Sequence, residues 1–316
     1  MATLTSRITL KGDEPAGPED YLSTSLGVIF PDDVTNQHGD AEHSLIYASP
    51  KLPKPLLIEL AEPEGETDRR LFSHYLWNAS LLLAEFIERD SLEAESEETE
   101  AGLGKGLSFD TRGLSTAELG AGTALPSIMA GLLGAKSVTV TDYPAPAVMK
   151  TLRDNVARNI KPEFAPLPLP GNDPNSILPV TTDITIEGHE WGVFDSSSSS
   201  FPASHAHTAD RLFVADCLWM PWQHANLRRS INHFLKKTTS ARAWVVAGFH
   251  TGRAKMAGFY DAEALREEGG VEIERIWERD CDGVEREWDV EREDDITVRK
   301  RWLVVAVLKR CEGMVE

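Results

Sequence analysis

Only three cysteines occur in the 316 residues, at 217, 281 and 311, and none is spaced as CxxC. That excludes a disulfide framework and a zinc cluster. Long apolar runs are also missing, since one of the longest, residues 302–308, falls far short of the ~20 needed to cross a bilayer. The first eleven residues lack the apolar stretch of a secretory signal, so the expected location is the cytoplasm, with no membrane partner. Basic charge is scarce, with Lys+Arg 32 against Asp+Glu 51 and a net charge of −19. A chain this acidic repels a polyanion unless it gathers a local basic patch. The basic residues instead lie as scattered pairs and one triplet, Arg299-Lys300-Arg301, and nucleic acid is not expected as a partner. What is present is an ordinary globular composition, 41% hydrophobic and 26% charged, able to bury a sizeable core.

Residues 1–65 are rich in Pro, Gly, Asp and Glu and read as an irregular N-terminal arm packed on a body of residues 66–316. Phe72, Tyr75, Leu76, Ala79, Leu82, Leu83 and Phe86 recur at helical spacing. An insertion at 88–106 follows, acidic and then Gly-rich, and a Ser-rich insertion occupies 195–208. Between and beyond them strand-like and helix-like segments alternate. Strands are expected at 113–119, 137–141, 178–182, 211–215, 243–248, 271–276 and 302–308, with helices at 126–133, 146–159 and 226–235. This alternation predicts an α/β fold, a Rossmann-like seven-stranded, mainly parallel sheet with helices on both faces.

The most informative stretch is Glu118-Leu-Gly120-Ala-Gly122-Thr-Ala124, placed at a strand-to-helix turn, with Asp142 at the end of the next strand. Glycines there let a ligand approach the backbone, and the helix start offers free N–H groups. An acid some twenty residues on is placed to accept both hydroxyls of a ribose. A nicotinamide dinucleotide and S-adenosylmethionine both fit that much. The dinucleotide fingerprint wants a small residue at 125, where Leu125 stands, and its phosphates would be repelled by Glu118. A cofactor bearing an ammonium and a sulfonium would be attracted by that acid, so the pattern favours S-adenosylmethionine.

Three blocks, Glu118-Leu-Gly-Ala-Gly-Thr-Ala-Leu-Pro-Ser127, Gly134-Ala-Lys-Ser-Val-Thr-Val-Thr-Asp-Tyr-Pro144 and Leu152…Asn155…Asn159, resemble the seven-β-strand lysine-methyltransferase-like family. The likeness is greatest to its fungal nicotinamide N-methyltransferase-like and elongation factor 1-alpha methyltransferase branch, and runs over about residues 70–310. The resemblance implies that Trp77, Glu118, Gly120 and Gly122 lie at the methionine moiety, Asp142 at the ribose, and Tyr143 and Trp191 beside the adenine. It places Asp216 and Trp219, in Ala215-Asp-Cys-Leu-Trp219, beside the transferred methyl. The sequence departs from the family pattern at Ala124, where Gly is common, and at Trp219, where Tyr or Phe is more frequent.

Methyl transfer from a sulfonium is an in-line displacement that needs orientation and a desolvated acceptor. Trp219, Trp222, Phe249 and His250 are the expected acceptor linings, with Asp216 orienting the amine or accepting a proton through water. The expected activity is N-methylation of a lysine or N-terminal amine of a protein by a monomeric enzyme. A small nitrogen base such as nicotinamide is the alternative acceptor, and a non-catalytic binding module on the same fold is the alternative of another class. His205 and His207 lack a third ligand, and no metal is expected.

Overall fold

The computed structural model describes residues 3–12, 36–39, 43–62, 75–92, 102–166, 182–195, 200–295 and 297–316. Near the N-terminus lie β1 (Ile8–Leu10), β2 (Gln37–His38), β3 (Leu45–Tyr47), β4 (Leu56–Ile58) and β5 (Leu76–Trp77). The main sheet is formed by β6 (Ser115–Leu119), β7 (Ser137–Asp142), β8 (Asp183–Gly188), β9 (Arg211–Ala215), β10 (Arg242–Gly248), β11 (Val271–Asp280), β12 (Glu285–Glu287) and β13 (Trp302–Arg310). Its order is β12-β11-β13-β10-β9-β6-β7-β8. Strands β8, β7, β6, β9 and β10 run parallel, and β13 is antiparallel to β10 and β11. The chain order reverses between β6 and β9. In open α/β sheets the crevice beyond the strand ends at such a switch point is where ligands bind.

Alternation along the strands decides which face each side chain serves. In β13, Leu303, Val305 and Val307 enter one apolar layer, whereas Val304, Ala306 and Leu308 enter the other. The first layer is closed by α1 (Asn78–Leu92), α2 (Leu125–Leu132) and α3 (Pro146–Asn159), and the second by α4 (Phe201–Ser204), α5 (His224–Phe234), α6 (Arg253–Ala257) and α7 (Ala262–Glu267). Each fully buried Leu or Val contributes about 1.5–3 kcal/mol.

The α/β reading holds, with local differences. The sheet has an eighth strand, β12, whose sequence Glu285-Arg286-Glu287 carries no apolar signal. Charge holds it instead: Arg286 pairs with buried Glu278 at 2.6 Å and lies 3.6 Å over the Trp302 ring, while Glu285 accepts the Leu103 N–H at 2.7 Å. The strand expected at 178–182 falls largely outside the described residues, and the edge strand is Asp183–Gly188. The first helix starts at Asn78, so Trp77 belongs to β5 rather than to the amphipathic helix. The N-terminal residues are not wholly irregular, because β1, β3 and β4 form a small antiparallel sheet. The centre of the acidic insertion, 93–101, and the Ser-rich residues 196–199 lie outside the described residues.

Candidate functional site

Three loops meet at the switch point. After β6 the chain enters Gly120 (φ +68°) and Gly122 (φ +56°), both in left-handed backbone that glycine adopts without a steric penalty. A Cβ at Gly120 would lie 2.7 Å from Cys217 Sγ and 2.9 Å from the Trp191 ring, whereas one at Gly122 would meet nothing within 4 Å. Ala124 is also left-handed (φ +63°) and fully buried, at the position where the related pattern has glycine. The loop frames one side of a cleft. Trp77, Gly120, Gly122, Asp142, Tyr143, Trp191, Asp216 and Trp219 all line it.

Asp142 closes one wall. One of its carboxylate oxygens accepts the Gly122 N–H at 2.7 Å and the other its neighbour Tyr143 N–H at 2.7 Å. Burial pushes its pKa up to about 6 despite those two donors. Each oxygen keeps a lone pair for a vicinal diol.

Glu118 is the one expected site residue that the structure does not bring to the cleft. Its side chain is fully buried, and Oε2 accepts the Ser127 N–H at 3.1 Å and is hydrogen-bonded to the Ser127 hydroxyl. Ala124, the residue before helix α2, has no capping side chain, so the Glu118 carboxyl caps the free N–H of Ser127 from the preceding strand. Burial, reinforced by Asp142, raises its pKa to about 8. The acid therefore anchors the glycine loop from beneath, through its bonds to Ser127 at the start of α2.

The opposite wall was legible only in part. His189 lines the cleft and is held neutral, its pKa lowered to about 4 by burial and then by His233. It is hydrogen-bonded to Ser230 Oγ at 3.0 Å, the same hydroxyl that accepts the Gly192 N–H at 2.9 Å, and the two bonds fix the turn carrying Trp191. Met220 and Gln223 also line the cleft, without any motif to announce them. Cys217 is buried, and burial holds its thiol protonated, which makes it an inert wall.

Asp216 follows β9 in left-handed backbone (φ +60°). Its Oδ1 accepts the Gly248 N–H at 3.0 Å, and His250 Nε2 lies 2.9 Å from both carboxylate oxygens. Asp216 and Trp77 also line a second cavity of about 770 Å³, together with Asn36, Gln37, Phe249, His250, Arg299 and Lys300. Of the expected acceptor linings, Phe249 and His250 thus face this second cavity and Trp219 the first. Trp222 lines neither; it is 72% exposed and meets Trp219 edge-on at 6.4 Å. His205 and His207 sit apart from the cleft, each bonded to a backbone carbonyl, and no cluster able to hold a metal ion occurs among the described residues.

Residues 64–169 match the family model described as lysine methyltransferase. That match takes in Trp77, the glycine loop and Asp142, and ends before Trp191 and Asp216. Protein N-terminal and lysine N-methyltransferase EFM7 of Gibberella zeae is 28% identical over 216 residues, 66% of this chain and 70% of that one. The Aspergillus fumigatus protein of the same name is 25% identical over 56% of this chain and spans 56% of its own length. Among solved structures, the ribosomal protein L11 methylase of Lactobacillus delbrueckii subsp. bulgaricus superposes over 74% of this chain and 78% of its own, with 17% identity and a TM-score of 0.38. With the glycine cradle open towards the cleft and a buried carboxylate placed for a ribose, the residues present fit S-adenosylmethionine. Over residues 64–169, which carry the glycine loop and Asp142, the chain is thus similar to the lysine methyltransferase family.

Proposed function

We propose that this chain methylates an amine of a protein, a lysine side chain or an N-terminal amine. The observation that carries the reading is the position of Asp216, a clamped carboxylate that lines both the cofactor cleft and the adjoining cavity. When bound, S-adenosylmethionine supplies an electrophilic methyl group on sulfur. In this reading Asp142 accepts the ribose hydroxyls, Tyr143 and Trp191 flank the adenine, and Gly120 and Gly122 give backbone access beside Trp77. Asp216 orients the acceptor amine and Trp219 walls it off from water. A lysine of pKa ≈ 10.4 must lose its proton, which at pH 7 costs roughly 4–5 kcal/mol, and an aromatic wall reduces that cost by disfavouring the cation.

A protein acceptor is supported from several directions. Both relatives described above are named as protein methyltransferases. Trp222 offers an exposed aromatic ring next to Trp219, as polypeptide-binding rims do. The net charge of −19 favours encounter with a basic partner and disfavours nucleic acid. Three buried free thiols suit a reducing, cytoplasmic setting, and the scatter of large exposed apolar residues suits a monomer. Asn36 and Gln37 of the N-terminal arm stand on the acceptor side in this reading, since they line the second cavity.

Incubating a cell extract with isotope-labelled cofactor and this protein tests the assignment. A labelled protein band is the expected result. Label confined to small molecules would transfer the reading to a nitrogen base such as nicotinamide, and no transfer at all would leave a binding module.

A further inference from the structure

The second cavity contains a couple whose geometry exceeds what orienting an amine requires. His250 Nε2 is equidistant, at 2.9 Å, from the two oxygens of Asp216, so its N–H is shared across the carboxylate. The other ring nitrogen, Nδ1, lies 3.1 Å from the Asn36 amide nitrogen. With Asn36 donating to Nδ1, the imidazole is neutral with its proton on Nε2, and Nδ1 is the position left to titrate. The His250 ring packs on Trp77 with centroids 4.6 Å apart, and β5 holds Trp77 in place by pairing with Gln37. Asp216 is the one acid among the described residues lining this cavity, and Arg299 and Lys300 are its cations.

We propose that His250 is a positioning residue whose charge state decides whether Asp216 can hold a cationic amine. The proposal rests on the N-methyltransferase reading above. With His250 neutral, the couple carries one negative charge and presents it to an ammonium. A proton taken up at Nδ1 turns the couple into an internal ion pair with no net charge, and the attraction for the amine is lost. Burial alone would lower the histidine's pKa and Arg299 lowers it further, but Asp216 outweighs both and raises it above 6.5, towards the physiological range. By linkage, an ammonium bound at Asp216 must make His250 harder to protonate.

The probe is n-butylamine, which mimics a lysine side chain and stays protonated from pH 5.5 to 8.5. Its binding to the full chain loaded with S-adenosylhomocysteine is measured by calorimetry across that range. Wild-type affinity should fall, up to tenfold per pH unit, below the His250 midpoint, whereas His250→Gln, which keeps an N–H donor but cannot titrate, should hold its affinity throughout. Asp216→Asn should bind weakly at every pH. Should His250→Gln misfold, the wild-type imidazole carbon resonances carry the test, because their midpoint must drop on adding n-butylamine. Binding that is absent, that is independent of pH, or whose pH dependence survives in His250→Gln would overturn the proposal. Failure of the broader reading looks different: no amine in the extract becomes labelled, whatever the probe does.

Discussion

Asp142 ends β7 and Asp216 follows β9, on either side of β6 in the same sheet, yet they are held in different ways. Asp142 is fixed by two backbone N–H groups, one from the adjacent residue and one from the glycine loop. Asp216 is fixed by one backbone N–H and by His250, thirty-four residues away in the chain. In the proposed reading, the cofactor wall is therefore made of main chain in a fixed conformation, and the acceptor wall of side chains drawn from distant segments. A backbone-built site suits one invariant ligand, and a side-chain-built site can be retuned for another acceptor without disturbing the first.

The largest effect expected from breaking this contrast is at Asp142. Asp142→Ala should weaken S-adenosylmethionine by on the order of 100-fold, the worth of two hydrogen bonds to a charged acceptor, while Asp216→Ala changes that affinity less than threefold and abolishes transfer. Calorimetry with the cofactor separates the two, and comparable losses in both variants would erase the distinction. The sign of the pH dependence follows from the raised pKa of Asp142. The carboxylate is the binding form, so wild-type affinity should decline as pH falls below about 6, and an Asp142→Asn protein should show a flat profile.

A smaller effect is expected at Gly120. A methyl there meets Cys217 and Trp191 in backbone that side chains resist, so Gly120→Ala should lower stability by about 1–3 kcal/mol and weaken cofactor binding at least tenfold. Denaturant melts and cofactor titration measure both, and a wild-type melting midpoint would show that the loop yields more easily than its contacts imply.

The smallest effect concerns Glu118. Its folded pKa, about 8, lies above the ordinary 4.5, so the folded state keeps a proton that the unfolded chain has released between those values. Stability should therefore fall as pH rises through that window. Glu118→Gln should remove this component of the slope while leaving cofactor affinity within about threefold, the opposite of the Asp142 result. Thermal melts from pH 5 to 8 check the slope.

How much was legible in the sequence follows the same division. Gly120, Gly122 and Asp142 were readable because a turn that admits a ligand to the backbone needs those residue types at that spacing. The parallel strands were readable because their buried faces demand apolar runs. The tie between Asp216 and His250 was not, since no periodicity links residues on adjacent loops, although both had been singled out separately. Glu118 was singled out for its charge beside a cationic cofactor, and its bond to the Ser127 N–H was not readable because spacing alone does not show which way a buried carboxylate turns. Strand β12 escaped because ion pairs and a guanidinium over Trp302, rather than apolar alternation, hold it.

The third block of the family likeness, Asn155 and Asn159, has a further consequence. Leu57 N–H donates to Asn159 Oδ1 at 3.1 Å and Leu57 C=O accepts from its Nδ2 at 2.8 Å, while Glu59 exchanges the same two bonds with Asn155 at 2.8 Å each. Two amides one helical turn apart thus imitate a missing neighbour strand, and β4, paired with β3 on its other side, presents no open edge there. A helix face has become the last rung of a sheet. The segment is thereby protected from edge-to-edge aggregation, and the same two residues tie β4 to the helix that follows Asp142.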